Sequence, residues 1–138
     1  LFRLLGTPGL RSVLAKLSPR WLYRQNLEQV YVDDAKVTEA LVDRYYDLTR
    51  RAGNRGAFLA RALVVDSALF ADVDAIRAPT LIQWGAGDLW IPRAMADTFA
   101  AHIRGSRVVM YDGVGHLPME ESPARSVADA RRFLLGGR

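Results

Sequence analysis

"TLIQWGAGDLWIP" (80–92) and "RVVMYDGVGHLPMEESP" (107–123) decide the fold. Each begins with a short apolar run rich in strand-forming residues and continues into a glycine-rich loop. One loop carries Asp88 and the other His116. Between the runs, "PRAMADTFAAHI" (92–103) opens with Pro92 and puts Met95, Phe99 and Ile103 on one helical face. After them, "SPARSVADARRFLL" offers Ser122 as N-cap, Pro123 at the first helical position and Gly136 beyond the end. The order is strand, helix, strand, helix. Two strands joined by roughly two dozen residues that contain a helix run parallel, with a right-handed crossover. Asp88 and His116 then leave the carboxyl ends of neighbouring strands about 5 Å apart. In open parallel sheets that rim is where ligands bind.

A carboxylate that accepts the Nδ1–H of a histidine fixes the imidazole tautomer and stabilises the imidazolium formed when Nε2 takes a proton. Such a pair is a general base in need of a group to deprotonate. The plainer reading is a structural or solvated loop histidine beside an acid. Joint placement at two adjacent strand ends favours the catalytic one.

Upstream, the pattern is helical. Thr38 suits an N-cap for "EALVDRYYDLTRR", where Leu41, Tyr45 and Leu48 share a face. Gly53-Asn54 breaks the chain before "RGAFLARALV", and "PGLRSVLAKL" and "PRWLYRQNL" read as short helices with Pro near their starts. The division expected is a helical segment over 1–70 and a βαβα unit over 71–138. Trp21, Tyr23, Tyr45, Tyr46 and Phe58 read as core of the helical layer.

The 138 residues suffice for one domain with a real core. Half are apolar and a quarter charged, as in soluble globular proteins. No apolar run nears the roughly 20 residues of a spanning helix, so no membrane role is expected. The net charge of +4 comes almost wholly from scattered arginines, not from one basic stripe, which argues against a nucleic-acid partner. Without cysteine there is no disulfide and no thiolate metal site. The start "LFRLLG" lacks Met and reads as a cut end; a cytoplasmic location is the default expectation.

The segment from about Asp74 to Phe133 resembles the C-terminal part of an α/β-hydrolase-fold enzyme. In that family the triad acid follows a core strand as G-x-x-D-x-x-x-P, matched here by Gly85, Asp88 and Pro92. The triad histidine follows the last strand as G-H-x-P-x-x-E-x-P, matched by Gly115, His116, Pro118, Glu121 and Pro123. Residues 1–70 are similar in kind to the helical cap such enzymes carry. The resemblance implies an α/β fold with two parallel strands and flanking helices behind a cap segment. It implies a hydrolase of esters or related acyl bonds, with Asp88 and His116 catalytic, a small-molecule substrate, and no metal or organic cofactor.

The family's nucleophile sits in G-x-S-x-G. None of the serines here, at 12, 18, 67, 106, 122 and 126, has that spacing. The serine is therefore expected upstream of Leu1, together with part of the oxyanion hole and most of the sheet. Strand 80–84 is expected to pair on its open side with that N-terminal half or with a second copy. The competing reading is a non-catalytic binding or interaction module on a hydrolase-like scaffold. Asp112 is the rival acid. Glu120 and Glu121 read as complements to a helix N-terminus, and His102 as a surface residue without a partner. Trp90, Leu117 and Met119 flank the motifs and line either a substrate pocket or the core.

Overall fold

The computed structural model of the chain describes residues 19–61 and 69–136. The helix expected over "PGLRSVLAKL" lies outside them. The chain divides into two compact units. One takes residues 1–26 and 38–65; the other takes 27–37 and 66–138. The sequence puts its boundary near residue 70 and gives no hint that 27–37 groups with the sheet.

The first unit contains most of helix α1 (Arg20–Val30), α2 (Glu39–Arg50) and α3 (Asn54–Arg61). Thr38 caps α2 as expected, its Oγ1 accepting from Leu41 N at 3.2 Å. Arg20 donates to Asp43 and Glu39, and Arg24 also reaches Glu39. Tyr23 meets Tyr46 edge to face at 5.5 Å, and the Arg50 guanidinium lies over the Tyr46 ring. Val42, outside the expected apolar stripe, is the wholly buried residue of α2, while Trp21 and Phe58 are exposed and not core. Gly53 turns the chain with φ 86°, where a Cβ would be strained.

The second unit holds α4 (Leu69–Asp74), β1 (Leu81–Gly85), α5 (Ala94–His102), β2 (Arg107–Tyr111), α6 (Pro118–Glu121) and α7 (Pro123–Leu134). β1 and β2 are parallel, in register from Leu81↔Arg107 to Gly85↔Tyr111. Both strands fall where the sequence puts them. Alternation sends neighbouring β1 side chains to opposite faces. Trp84 meets Phe99 of α5, while Gln83 meets α7, so helices lie on both faces of the sheet.

Gln83 is a polar residue in an apolar strand, and its amide is fully used. Its Nε2 donates to Tyr111 Oη and Ser126 O, both at 2.9 Å, and its Oε1 accepts from Ser126 Oγ at 3.1 Å. Tyr111 Oη in turn donates to Asp129 Oδ2 at 2.9 Å. Burial, then the bond to Asp129, pushes the Tyr111 phenol up to about 12.

Ser122 departs from expectation. It holds the N-cap position of α7 but makes no side-chain cap bond. It also ends α6, a helix the sequence does not reveal: Ser122 N donates to Pro118 O at 2.9 Å while Ser122 O accepts from Ser126 N at 3.0 Å, so the residue is a joint between two helices. Gly136 does turn out of α7 as expected, with φ 76°. Among the described residues, no helix is long and apolar enough to cross a membrane.

Candidate active site

The two loops are built as one body. Gly85 ends β1, and a Cβ there would stand 1.9 Å from Gly115 O and 2.4 Å from Val114 O. Only glycine permits that approach. Ala86 N donates to Tyr111 O and Gly87 N to Val114 O, each at 2.9 Å. The strand ends are thus bonded to one another beyond the sheet itself.

On this base Asp88 and His116 meet. Asp88 Oδ2 lies 2.7 Å from His116 Nδ1, within the distance expected of an acid–base pair. Asp88 Oδ1 accepts from Trp90 N at 2.8 Å and Ile91 N at 2.9 Å. The carboxylate is therefore oriented by its own loop. Its side chain is 3% exposed, against 28% for His116. A carboxylate whose other oxygen already takes two N–H groups is an acceptor, so the proton between the pair belongs on Nδ1. Nε2 is then left as the basic nitrogen. Asp112 is exposed, and the carboxylate on Nδ1 is not its own.

Trp90 lies beside the imidazole, ring centroids 5.6 Å apart, and is half exposed. Met119 is exposed on α6, and Leu117 is partly buried just before it. Leu89 and Ile91, which the sequence does not single out, are exposed as well. The acid's loop thus presents three consecutive apolar side chains.

Two expectations are corrected. His102 has a partner, since its Nδ1 lies 2.7 Å from Asp74 Oδ1. Glu121 does not serve the N-terminus of α7. It is 2% exposed, and its oxygens take the N–H groups of Val32 at 2.8 Å, Asp33 at 2.9 Å and Gly115 at 2.5 Å. Glu120 Oε2 accepts from Tyr31 Oη at 3.0 Å. The signal available in sequence was two adjacent carboxylates a few residues after the histidine, but their partners lie almost ninety residues away. Among the described residues, no three His, Asp or Glu side chains gather as metal ligands would.

A family model described as the alpha/beta hydrolase family matches residues 1–130. Uncharacterized proteins of Mycobacterium bovis and Mycobacterium tuberculosis are 34% identical over 56 residues, which is 41% of this chain and 16% of each relative. Among solved structures, the chain is similar to a meta-cleavage product hydrolase from Pseudomonas fluorescens IP01. There the TM-score is 0.73 at 18% identity, over 90% of this chain and 48% of that one. It is also similar to a thermophilic esterase from Thermogutta terrifontis, with TM-score 0.72 at 22% identity, over 91% and 47%. An esterase from Exiguobacterium antarcticum gives 0.72 at 20%, over 86% and 44%. The chain spans about half the length of these solved structures, and at these identities the likeness is one of fold.

Proposed function

The chain belongs to the alpha/beta hydrolase family, and from that premise we propose that it carries the acid and base of a hydrolase acting on esters or related acyl bonds. The observation that carries this reading is the 2.7 Å contact between the buried Asp88 carboxylate and His116 Nδ1. In the proposed reaction His116 Nε2 takes the proton of a serine supplied from outside residues 1–138. The serine Oγ bonds to the acyl carbon, and the acyl–leaving-group bond breaks as His116 returns the proton to the departing group. Water, deprotonated by the same Nε2, then releases the acid and frees the serine. Asp88 stays ionised throughout and stabilises the imidazolium. Trp90, Leu117 and Met119 are proposed to flank a small apolar substrate.

The sheet supports the same assembly. Among the described residues β1 pairs with β2 alone. An apolar strand without charges at Leu81 and Ile82 is a template for another strand. We assign its other edge to the nucleophile-bearing part of the fold, with a second copy as the alternative partner.

The test is labelling by a serine-directed phosphonate. The full-length protein is expected to label, and His116→Ala to lower the rate on the order of 10⁴-fold. Residues 1–138 alone are expected not to label. Full-length protein that never labels would favour the non-catalytic module, and labelling of the 138 residues alone would place a nucleophile within them.

A further inference from the structure

Glu121 stands outside the proposed acid–base chemistry, yet it is the most heavily committed carboxylate near it. Around it, residues Val30–Asp33 form a strap with two kinds of bond to the histidine loop. Val30 O accepts from His116 N at 2.8 Å. Val32 N and Asp33 N donate to Glu121 Oε1, while Gly115 N donates to Glu121 Oε2. Lys36 Nζ adds a bond to Glu121 O at 2.9 Å. Gly115 has no slack in this arrangement, since a Cβ there would stand 2.1 Å from Val30 O and 3.3 Å from Glu121 Oε2.

We propose that Glu121 is a positioning residue for His116, holding the Val30–Asp33 strap as a template for the backbone of Gly115 and His116. The end of β1 packs against the carbonyls of Val114 and Gly115 but takes neither the Gly115 nor the His116 N–H, and β2 has already ended at Tyr111, the loop leaving it through Gly113 with φ 69°. The strap takes the N–H of the histidine itself, and Glu121 takes the N–H of the residue before it. Both backbone amides that aim the imidazole are thereby set from one carboxylate and the segment it clamps. A carboxylate suits this role where an amide does not. Two oxygens accept from three N–H groups, whereas glutamine would turn a donor toward either Gly115 N or the Val32–Asp33 pair.

The inference rests on the Asp88–His116 pairing, so its test reads that pairing directly and needs no turnover. In full-length protein with labelled histidine, the Nδ1 proton of His116 is expected as a downfield resonance protected from water, assigned by its loss in His116→Gln. Glu121→Gln keeps the side chain's size. It is expected to speed exchange of that proton at least about tenfold or to broaden it away. Ile103→Ala, outside both loops, is expected to destabilise at least as much and to leave the proton as it was. If labelling supports the enzyme reading, Glu121→Gln should also lower kcat roughly 10²-fold with KM nearly unchanged, the signature of a misplaced base. An Nδ1 proton as protected in folded Glu121→Gln as in the wild type overturns the inference. Should Glu121→Gln fail to fold, Lys36→Met decides, because Lys36 is exposed and its loss only loosens the clamp. A severalfold faster exchange supports the role, and an unchanged rate overturns it. A wild type without a protected Nδ1 proton removes the Asp88–His116 pairing itself, and the inference with it.

Discussion

The surface cluster of the helical unit and the candidate site of the sheet unit both use carboxylates, and they use them in opposite ways. In the helical unit, Arg20, Arg24, Glu39 and Asp43 pair side chain to side chain at the surface, with Glu39 69% exposed. In the sheet unit, Asp88 and Glu121 are buried and accept mainly from backbone N–H groups. An exposed pair gains little, since water and salt screen it and two long side chains must be ordered. A buried carboxylate on backbone amides cannot be satisfied by any other arrangement of those amides, so it fixes where the chain runs. Charges of the first kind decorate a fold, and charges of the second kind aim it. The candidate site is built from the second kind.

The sharpest way to break this contrast is Asp88→Asn in the full-length protein. Asn keeps an oxygen for Trp90 N and Ile91 N but turns an N–H₂ toward His116 Nδ1, forcing the proton onto Nε2. On the proposed function, the acylation rate should fall about 10³- to 10⁴-fold with the fold intact, by stopped-flow acylation and circular dichroism. A loss below tenfold would mean that the buried carboxylate does not set the tautomer.

Next in size is Gly115→Ala. The added methyl group meets backbone, not a flexible side chain. Urea unfolding should show a loss of about 3 kcal/mol or more. A loss below about 1 kcal/mol would mean that the strap gives way easily and cannot aim anything.

Tyr111 sharpens the comparison from within the sheet. Its phenol is buried, and its pKa in the folded chain is about 12, above the ordinary value of 10. The protonated phenol is therefore the form the fold favours. Its contribution is whole below about pH 10 and is lost as pH rises toward 12. Tyr111→Phe should cost about 1–2 kcal/mol at neutral pH, by loss of the bonds to Asp129 and Gln83. The gap between variant and wild type should close between pH 10 and 12 in unfolding measurements. A gap that stays constant across that range would contradict the buried phenol.

The smallest effect belongs to the surface cluster. The Arg20 hydrogen bond, with further attraction from Arg24, holds the Glu39 carboxyl below its usual range. Its contribution is present above that range and fades as pH falls through the lowered value. Glu39→Gln should barely move the denaturation midpoint at neutral pH, and less still in high salt. A large, salt-insensitive loss would erase the distinction between the two units.

How much of this was legible in sequence follows from the range of each interaction. The runs 80–84, between Pro79 and Gly85, and 107–111 announce themselves as short apolar strands, found at 81–85 and 107–111, and their order alone brings Asp88 to His116. Helix α2 is legible from Thr38 and its period, although Val42 rather than the expected stripe is buried. Segment 27–37 is not legible. "VYVDDAK" (30–36) carries no recognisable motif, and nothing local says that Val32 N and Asp33 N will meet a glutamate from the far end of the chain. Glu121 is misread for the same reason, because a carboxylate just before a helix has a sufficient local explanation. Gln83 could have been noticed as a polar residue inside a buried strand, but its partners Tyr111 and Ser126 come from other elements.

The strap also has a place in time. Asp88 and His116 are 28 residues apart, whereas Val32 and Glu121 are 89 apart. Closing the longer loop costs only about 1 kcal/mol more in chain entropy, but contacts of such separation generally form slowly. During synthesis the amides of Val32 and Asp33 leave the ribosome long before their carboxylate exists, and until then they are bonded to water. The two strand-end loops can come together first. The histidine acquires its final aim only when the beginning of the sheet unit closes over its end.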